Sequence, residues 1–368
     1  MLINIQFLRF AAAFLVVLYH ASQQLAAAGA GPGPVFSAGA AAGFAGVDVF
    51  FVISGFIMFY TTRGDIGGAD ASGFARRRLA RIYSGYWPFF VLAAIVFAWA
   101  RPDHFELSNL WASFLLWPMP LDRVLLDVSW TLSFELYFYL LFAVLLLLSV
   151  RSRVRLLLAA AAGIAVLNLV RHFLLNDFSP ERLYTHSFSS HFLLSPFLFE
   201  FLAGAVLAAG AGKTPQRLGW PLLVLGLVGF GLAGAANQWS WGGDIEQGYY
   251  VVPRVLLFGI PSLLIVQGLV CLEAAGRVAP RQFSLYAGGA SYAIYLCHTI
   301  FFVATMKMGL NAFLRGLPDL VVQLVYLAYC VLIVVFAVGF YRIAERPLHQ
   351  AFKRVLRVAR LPAARPLS

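Results

Sequence analysis

The sequence predicts an all-α polytopic membrane protein of about ten transmembrane helices with both termini cytoplasmic. Three observations carry that prediction. Of 368 residues, 61% are hydrophobic and only 12% charged, about half the charged fraction of a soluble domain. The mean hydropathy is +0.81. The apolar residues fall in runs of about 20, the length that spans a bilayer, separated by charge, Gly and Pro. A soluble enzyme is excluded, and ten spans leave no room for a separate extramembrane domain.

The first run, residues 5–23, has no basic leader and carries Arg9 inside it, so it is expected to remain as the first helix rather than to be cleaved. Residues 44–61, 83–99, 129–149 and 154–175 follow, each bounded by charge or by Gly and Pro. Residues 191–210, 219–236, 252–272, 285–306 and 320–341 complete the set by the same criterion. Residues 104–118 are apolar and carry two Trp but are too short to span, so they read as an interfacial or re-entrant helix. The segments 24–43, 100–128, 176–190 and 237–251, rich in Gly, Pro, Trp and Ser, are expected to cap the outer face. No internal repeat is evident. Residues 1–345 make one membrane domain, and 346–368 a basic cytoplasmic tail.

Basic residues stay preferentially on the cytoplasmic side. With the N-terminus inside, 19 of the 27 Lys and Arg fall on inner segments, namely Arg63, Arg76 to Arg81, Arg151 to Arg155, Lys213, Arg217, Arg277, Arg281 and the seven from Arg342 onward. Seven fall outside: Arg101, Arg123, Arg171, Arg182, Arg254, Lys307 and Arg315. The net charge of +11 is therefore topological, suited to lipid headgroups and not to nucleic acid. Cys271, Cys297 and Cys330 lie in apolar spans without metal-ligand spacing and read as packing residues; no metal is expected.

Ionisable groups inside a bilayer cost several kcal/mol and are candidate functional residues for that reason. Arg9 and His20 are separated by three helical turns, which puts them on one face about 16 Å apart along the axis. A phosphate-bearing donor reaching outward fits that layout; the alternative is an arginine snorkelling to headgroups and a histidine that only packs. Asp48 and Glu135 lie at depths comparable to His20, as carboxylates flanking a general base would, or they serve as structural acceptors. Ser291, Tyr295 and His298 form one polar stripe on the ninth span, suited to interhelical hydrogen bonding or to substrate. Glu200 could complete a cavity or pair with an arginine. Arg78 and Arg81 share a helix face and are either topology anchors or a phosphate clamp.

These residues sit in a set of motifs. The opening Asn4-Ile5-Gln6-Phe7-Leu8-Arg9-Phe10 leads to His20 after ten residues, and Gly46-Val47-Asp48-Val49-Phe50-Phe51-Val52-Ile53-Ser54-Gly55-Phe56 follows. Next come the Arg78, two residues, Arg81 pairing, Ser129-Trp130-Thr131-Leu132-Ser133-Phe134-Glu135, Ser291-Tyr292-Ala293-Ile294-Tyr295-Leu296-Cys297-His298 and Glu345-Arg346-Pro347. In that order, over residues 4–347, they resemble acyltransferase family 3, the integral membrane O-acyltransferases of bacterial carbohydrates. Phe56-Ile57-Met58-Phe59-Tyr60-Thr61-Thr62 is closest to the exopolysaccharide-production branch, and Ser84 replaces a Pro common in the family.

The resemblance implies transfer of an acyl group, usually acetyl, from cytoplasmic acyl-CoA to a hydroxyl of an exopolysaccharide or lipid-linked oligosaccharide, in the bacterial cytoplasmic (inner) membrane. It implies His20 as base with Asp48 or Glu135 orienting it, and Arg9, Arg78 and Arg81 on the CoA phosphates. The alternative is a polytopic transporter of carbohydrate or lipid-linked sugar, which would use the same intramembrane charges without a thioester. Oligomeric state is not legible in the sequence.

Overall fold

The computed structural model describes residues 2–62, 64, 67–178, 188–245 and 251–356. Arg63 and Arg182 of the charge count, part of two expected outer segments, and the tail from Arg357 lie outside the described residues.

The described residues are helical, without strands. The principal helices are α1 (Ile3–Ala27), α2 (Gly46–Thr61), α3 (Gly68–Ala100), α4 (Trp130–Leu145), α5 (Val150–Leu169) and α6 (Phe197–Ala209). They continue with α7 (Gly219–Trp241), α8 (Ile260–Ala274), α9 (Arg281–Gly289), α10 (Ser291–Lys307), α11 (Asp319–Phe340) and α12 (Arg346–Val355). Among the described residues nine helical segments are long and apolar enough to cross a membrane, or ten when α9 and α10, bent by 51°, form one span. The largest difference from the sequence reading is α3. It begins at Gly68, so Arg76, Arg77 and Arg78 are helical residues rather than the end of a loop. At 1.5 Å per residue its 33 residues run about 50 Å, well beyond the bilayer core.

Helix α1 is the central post, packed against α2, α9, α10, α8 and α11. Its first turn has backbone N–H groups with no intrahelical acceptor. Glu273, at the end of α8, accepts the Ile3 and Asn4 N–H groups at 2.7 and 2.8 Å. The Asn4 side chain then donates to the carbonyls of Leu269 (3.1 Å) and Arg277 (2.9 Å) and accepts from Ala279 N–H (2.8 Å). Asn4 thus ties the start of α1 to the link between α8 and α9.

Between membrane helices there is little hydrophobic driving force, and close packing depends on small residues. Helices α2 and α6 meet through Gly55 and Gly204. A Cβ on Gly55 would stand 1.9 Å from the Phe201 carbonyl oxygen, and one on Gly204 2.2 Å from that of Val52.

The short helices Pro102–Leu107 and Leu110–Leu115 replace the single short helix expected near 104–118. The second ends alongside the middle of α3. Its last carbonyls, which have no helical partner, accept from three aromatic side chains of α3. Tyr86 donates to Ser113 at 2.8 Å, Trp87 to Phe114 at 3.1 Å and Tyr83 to Leu115 at 2.9 Å. That satisfies backbone polar groups that lipid could not.

The inner-counted loops gather at one end of the bundle. Arg153, fully buried, donates to the Thr62 carbonyl at 3.0 Å, and Gly67 N–H donates to Leu146 at 2.9 Å. Arg171 and Arg254, counted as outer-loop charges, are buried instead. Each is held by an acid, Arg171 by Asp177 at 2.7 Å and Arg254 by Asp48 at 2.7 Å.

Because the obstacles at Gly55 and Gly204 are backbone atoms, Gly55→Leu and Gly204→Leu should each cost upwards of about 3 kcal/mol, the upper range for overpacking. The check is the thermal midpoint of detergent-solubilised protein, which should fall for both variants and stay put for Gly163→Leu, a position open to its surroundings.

Candidate active site

A cavity of about 420 Å³ lies between α1, α2, α3, α4 and α10. One end is bordered by Leu2, Tyr60, Thr61 and Arg78, residues toward the inner-counted ends of their helices; the other by Val47, Phe50, Thr131 and Tyr295. Arg9, Arg81 and Glu135 line it in between, so all three arginines of the sequence reading meet in one space. The remaining wall is mostly apolar, contributed by residues such as Ile5, Phe51, Ile53 and Leu132.

The arginines differ in their commitments. Arg81 is fixed by Glu345 at 3.0 Å and lies over the Tyr292 ring at 5.6 Å. Glu345 is itself buried, so the terminal Glu-Arg-Pro motif supplies an internal counter-charge. Arg78 lies against the rings of Phe74 and Tyr139, at 5.2 and 5.3 Å, and makes no ion pair among the described residues. Arg9 donates to Gln6 at 3.3 Å. Glu135 accepts from Tyr139, one turn along α4, and from Ser54 at 3.5 Å. With three cations and two carboxylates, Glu135 and Glu345, the cavity carries a net positive charge fit for an anionic ligand.

His20 does not line this cavity, although Arg9 on the same helix does. Nor, among the described residues, does a carboxylate pair with it. Asp48 is fully buried and accepts two N–H groups of Arg254, Nε at 3.1 Å and Nη2 at 2.7 Å. The Arg254 guanidinium is in turn held between the rings of Phe44 and Phe197, each 5.0 Å away. Glu200 is neither a cavity residue nor the partner of a cytoplasmic arginine; it is buried with its carboxyl group beside that of Asp48 and near the Arg254 guanidinium. Equal depth placed Asp48 near His20 in the sequence reading, but helix rotation turns it toward α6 and the helix that enters α8. Glu135 is likewise directed into the arginine cavity.

What does face His20 is His298. Their ring centroids are 5.0 Å apart, and His20 Nδ1 lies 3.3 Å from Gln23 Oε1. The stripe on α10 divides accordingly. Ser291, which borders the cavity, donates to the Gly288 carbonyl at 2.8 Å. Tyr295 donates to Val128 at 3.0 Å and accepts from Thr131 at 3.1 Å, closing the outer end of the cavity. His298, one turn further, has its ring centroid 6.0 Å from that of Tyr295. Tyr295 thus stands between the arginine cavity and the histidine pair.

The sequence reading missed Arg254, Tyr139 and Tyr292. Tyr139 was findable, since it lies four residues from Glu135 on a helix. Arg254 was disguised by its position at the edge of an apolar run.

The chain matches the acyltransferase domain family over residues 2–342 and belongs to that family. It is 29% identical to the exopolysaccharide production protein ExoZ of Rhizobium meliloti (strain 1021) over 287 residues, covering 73% of this chain and 79% of that protein. It is 26% identical to the acyltransferase MdmB of Streptomyces mycarofaciens over 318 residues, covering 79% and 76%. No solved structure matches the chain significantly. The protein is a multi-pass membrane enzyme that transfers acyl groups.

Removing one partner of a buried pair strands the other charge, so Asp48→Ala and Arg254→Ala should each destabilise by about 3–5 kcal/mol. The double variant Asp48→Leu/Arg254→Met should be less destabilised than either single change. Thermal unfolding in detergent measures all three, and additive losses would show that the pair is not coupled.

Proposed function

With family membership as the premise, we propose that this protein moves an acyl group, acetyl in the simplest case, from cytoplasmic acyl-CoA to a hydroxyl of an exopolysaccharide or lipid-linked oligosaccharide. It would do so in the bacterial cytoplasmic membrane with both termini inside. The observation that carries the reading is the cavity: three arginines from two helices converge on a space with mostly apolar walls. A CoA thioester has that polarity, phosphates at one end and a weakly polar arm at the other.

Arg78, with its charge uncommitted to an acid, would take phosphate oxygens at the inner mouth. Arg81, oriented by Glu345, and Arg9, further along, would extend the positive wall, while Glu135 would accept from the amides of the pantetheine arm. The phosphates would stay near the basic face, and only the arm would enter the bundle, which avoids burying multiple charges in low dielectric. The thioester would then reach Tyr295 and the compartment of His20. His20 would take the proton of the acceptor hydroxyl as it attacks the thioester carbonyl, and return it to the departing thiolate. The carbohydrate acceptor is supported by the exopolysaccharide role in the name of the relative ExoZ. Membrane lipids are the other partners, met by the basic end where Arg76, Arg77, Lys353 and Arg354 stand.

Three measurements test this. His20→Ala should abolish acyl transfer without loss of expression or membrane insertion; near-normal transfer would remove His20 from the chemistry. In inside-out vesicles, added acetyl-CoA should support acetylation of lumenal acceptor, and in right-side-out vesicles it should not. For the clamp, Arg78→Lys/Arg81→Lys keeps the positive charge but loses the planar fork, so topology should persist while acyl-CoA affinity drops about tenfold or more.

A further inference from the structure

Beyond His20, helix α1 carries two glutamines. Gln23 and Gln24 follow the histidine by three and four residues, so both stand on its face, one turn nearer the outer-counted end of the helix. The step along the axis is about 4.5–6 Å, comparable to the width of a sugar ring. Gln23 is exposed, and its Oε1 lies 3.3 Å from His20 Nδ1.

Gln24 is held from behind. Asn311, on the short helix Leu310–Leu314 that follows α10, donates from Nδ2 to Gln24 Oε1 at 3.2 Å. Tyr326 of α11, only 1% exposed, donates in turn to Asn311 Oδ1. Three helices thus meet at the outer-counted end of α1 through a hydrogen-bonded chain that starts in the core and ends at Gln24. Whichever way the two amides are turned, Asn311 uses both of its ends in this chain and Gln24 only one. The other end of the Gln24 amide makes no hydrogen bond among the described residues. A glutamine near a helix end ordinarily samples many rotamers; this one is ordered in advance, which lowers the cost of binding a ligand.

We propose that Gln24, backed by Asn311 and Tyr326, and Gln23 beside it form a subsite for the hydroxyl groups of a neutral sugar acceptor, next to the hydroxyl that is acylated. The inference rests on the acyltransferase reading with His20 as base. A sugar hydroxyl both donates and accepts, so either end of an amide can meet it. Every group in the chain is neutral, which suits a polyol better than a charged acceptor. A sugar that places one hydroxyl at His20 sets its ring neighbours one turn along α1, level with the two glutamines. No bond is made or broken there. The subsite fixes which hydroxyl faces the base, and its residues therefore determine acceptor specificity. Gln323 of α11 provides a contrast at the same end of the bundle: it donates to the Gly31 carbonyl at 2.7 Å and ties down the segment that follows α1.

The test uses the full-length protein in detergent, with radiolabelled acetyl-CoA as donor and, as acceptor, the lipid-linked oligosaccharide fraction extracted from cells that lack this protein. Gln24→Leu should raise KM for the acceptor about 3- to 10-fold, the worth of one hydrogen bond between neutral groups, while KM for acetyl-CoA stays within about twofold. Gln323→Leu should lower the thermal midpoint and leave the acceptor KM alone. An acceptor KM unchanged in Gln24→Leu, or raised equally in both variants, would overturn the subsite whatever the thermal midpoints. Should Gln24→Leu fail to accumulate, Gln23→Leu, at an exposed position, is read against the same criteria. Failure of the underlying reading looks different. Wild-type protein that transfers nothing to this acceptor, or His20→Ala that transfers normally, removes the reaction or the base, and the subsite with it.

Discussion

The ion pair between Asp48 and Arg254 is the constraint on which the arrangement of this bundle depends. Its partners are 206 residues apart in sequence and buried, so neither can turn to water if the helices shift. Coulomb attraction in a low dielectric is strong only at short range and good geometry. Here both are met, by two N–H donors on one carboxylate and by the Phe44 and Phe197 rings on the faces of the guanidinium. Satisfying that pair sets the rotation of α2. With α2 so turned, Gly55 meets α6 and Ser54 meets Glu135, and the wall of the cavity follows.

The cavity itself is organised by internal counter-charges. Three arginines without acids would repel one another and hold the helices apart; Glu345 and Glu135 relieve this without cancelling the net charge. Arg81 is consequently rigid, while Arg78 is held by aromatic faces that leave its charge available. This resembles an anion site kept in shape before its ligand arrives, the condition under which binding costs least reorganisation. Tyr295 then stands between the place where charge is held and the histidine pair.

Much of the fold was legible in the sequence, because hydropathy and charge asymmetry are local properties and each span reports itself. The gathering of Arg9, Arg78 and Arg81 was legible too, since their chain positions fix their depths. Rotation about helix axes was not. Depth alone set Asp48 and Glu135 beside His20, yet each points elsewhere, and no periodicity in an apolar helix distinguishes the two outcomes. Arg254 failed for another reason: a single arginine bordering an apolar run looks the same whether it reaches headgroups or turns inward to an acid. Ser291, Tyr295 and His298 were correctly placed on one stripe, but the stripe runs from the arginine cavity to the histidine pair, which only the packing of α3 and α1 against α10 reveals.

The contacts of the short helix Leu110–Leu115 bear on how the chain is assembled. Its terminal carbonyls are satisfied by Tyr83, Tyr86 and Trp87, all on one stretch of α3 that precedes it. Before α3 stands in the bilayer, this segment has nowhere to put those carbonyls and no thermodynamic reason to leave the aqueous phase. The order of synthesis solves the problem, because the donors emerge from the ribosome 27 to 32 residues ahead of the acceptors, somewhat more than the length of one span. A chain in which the two segments were exchanged by circular permutation would hold the same contacts on paper and would lack the template on which the second of them forms.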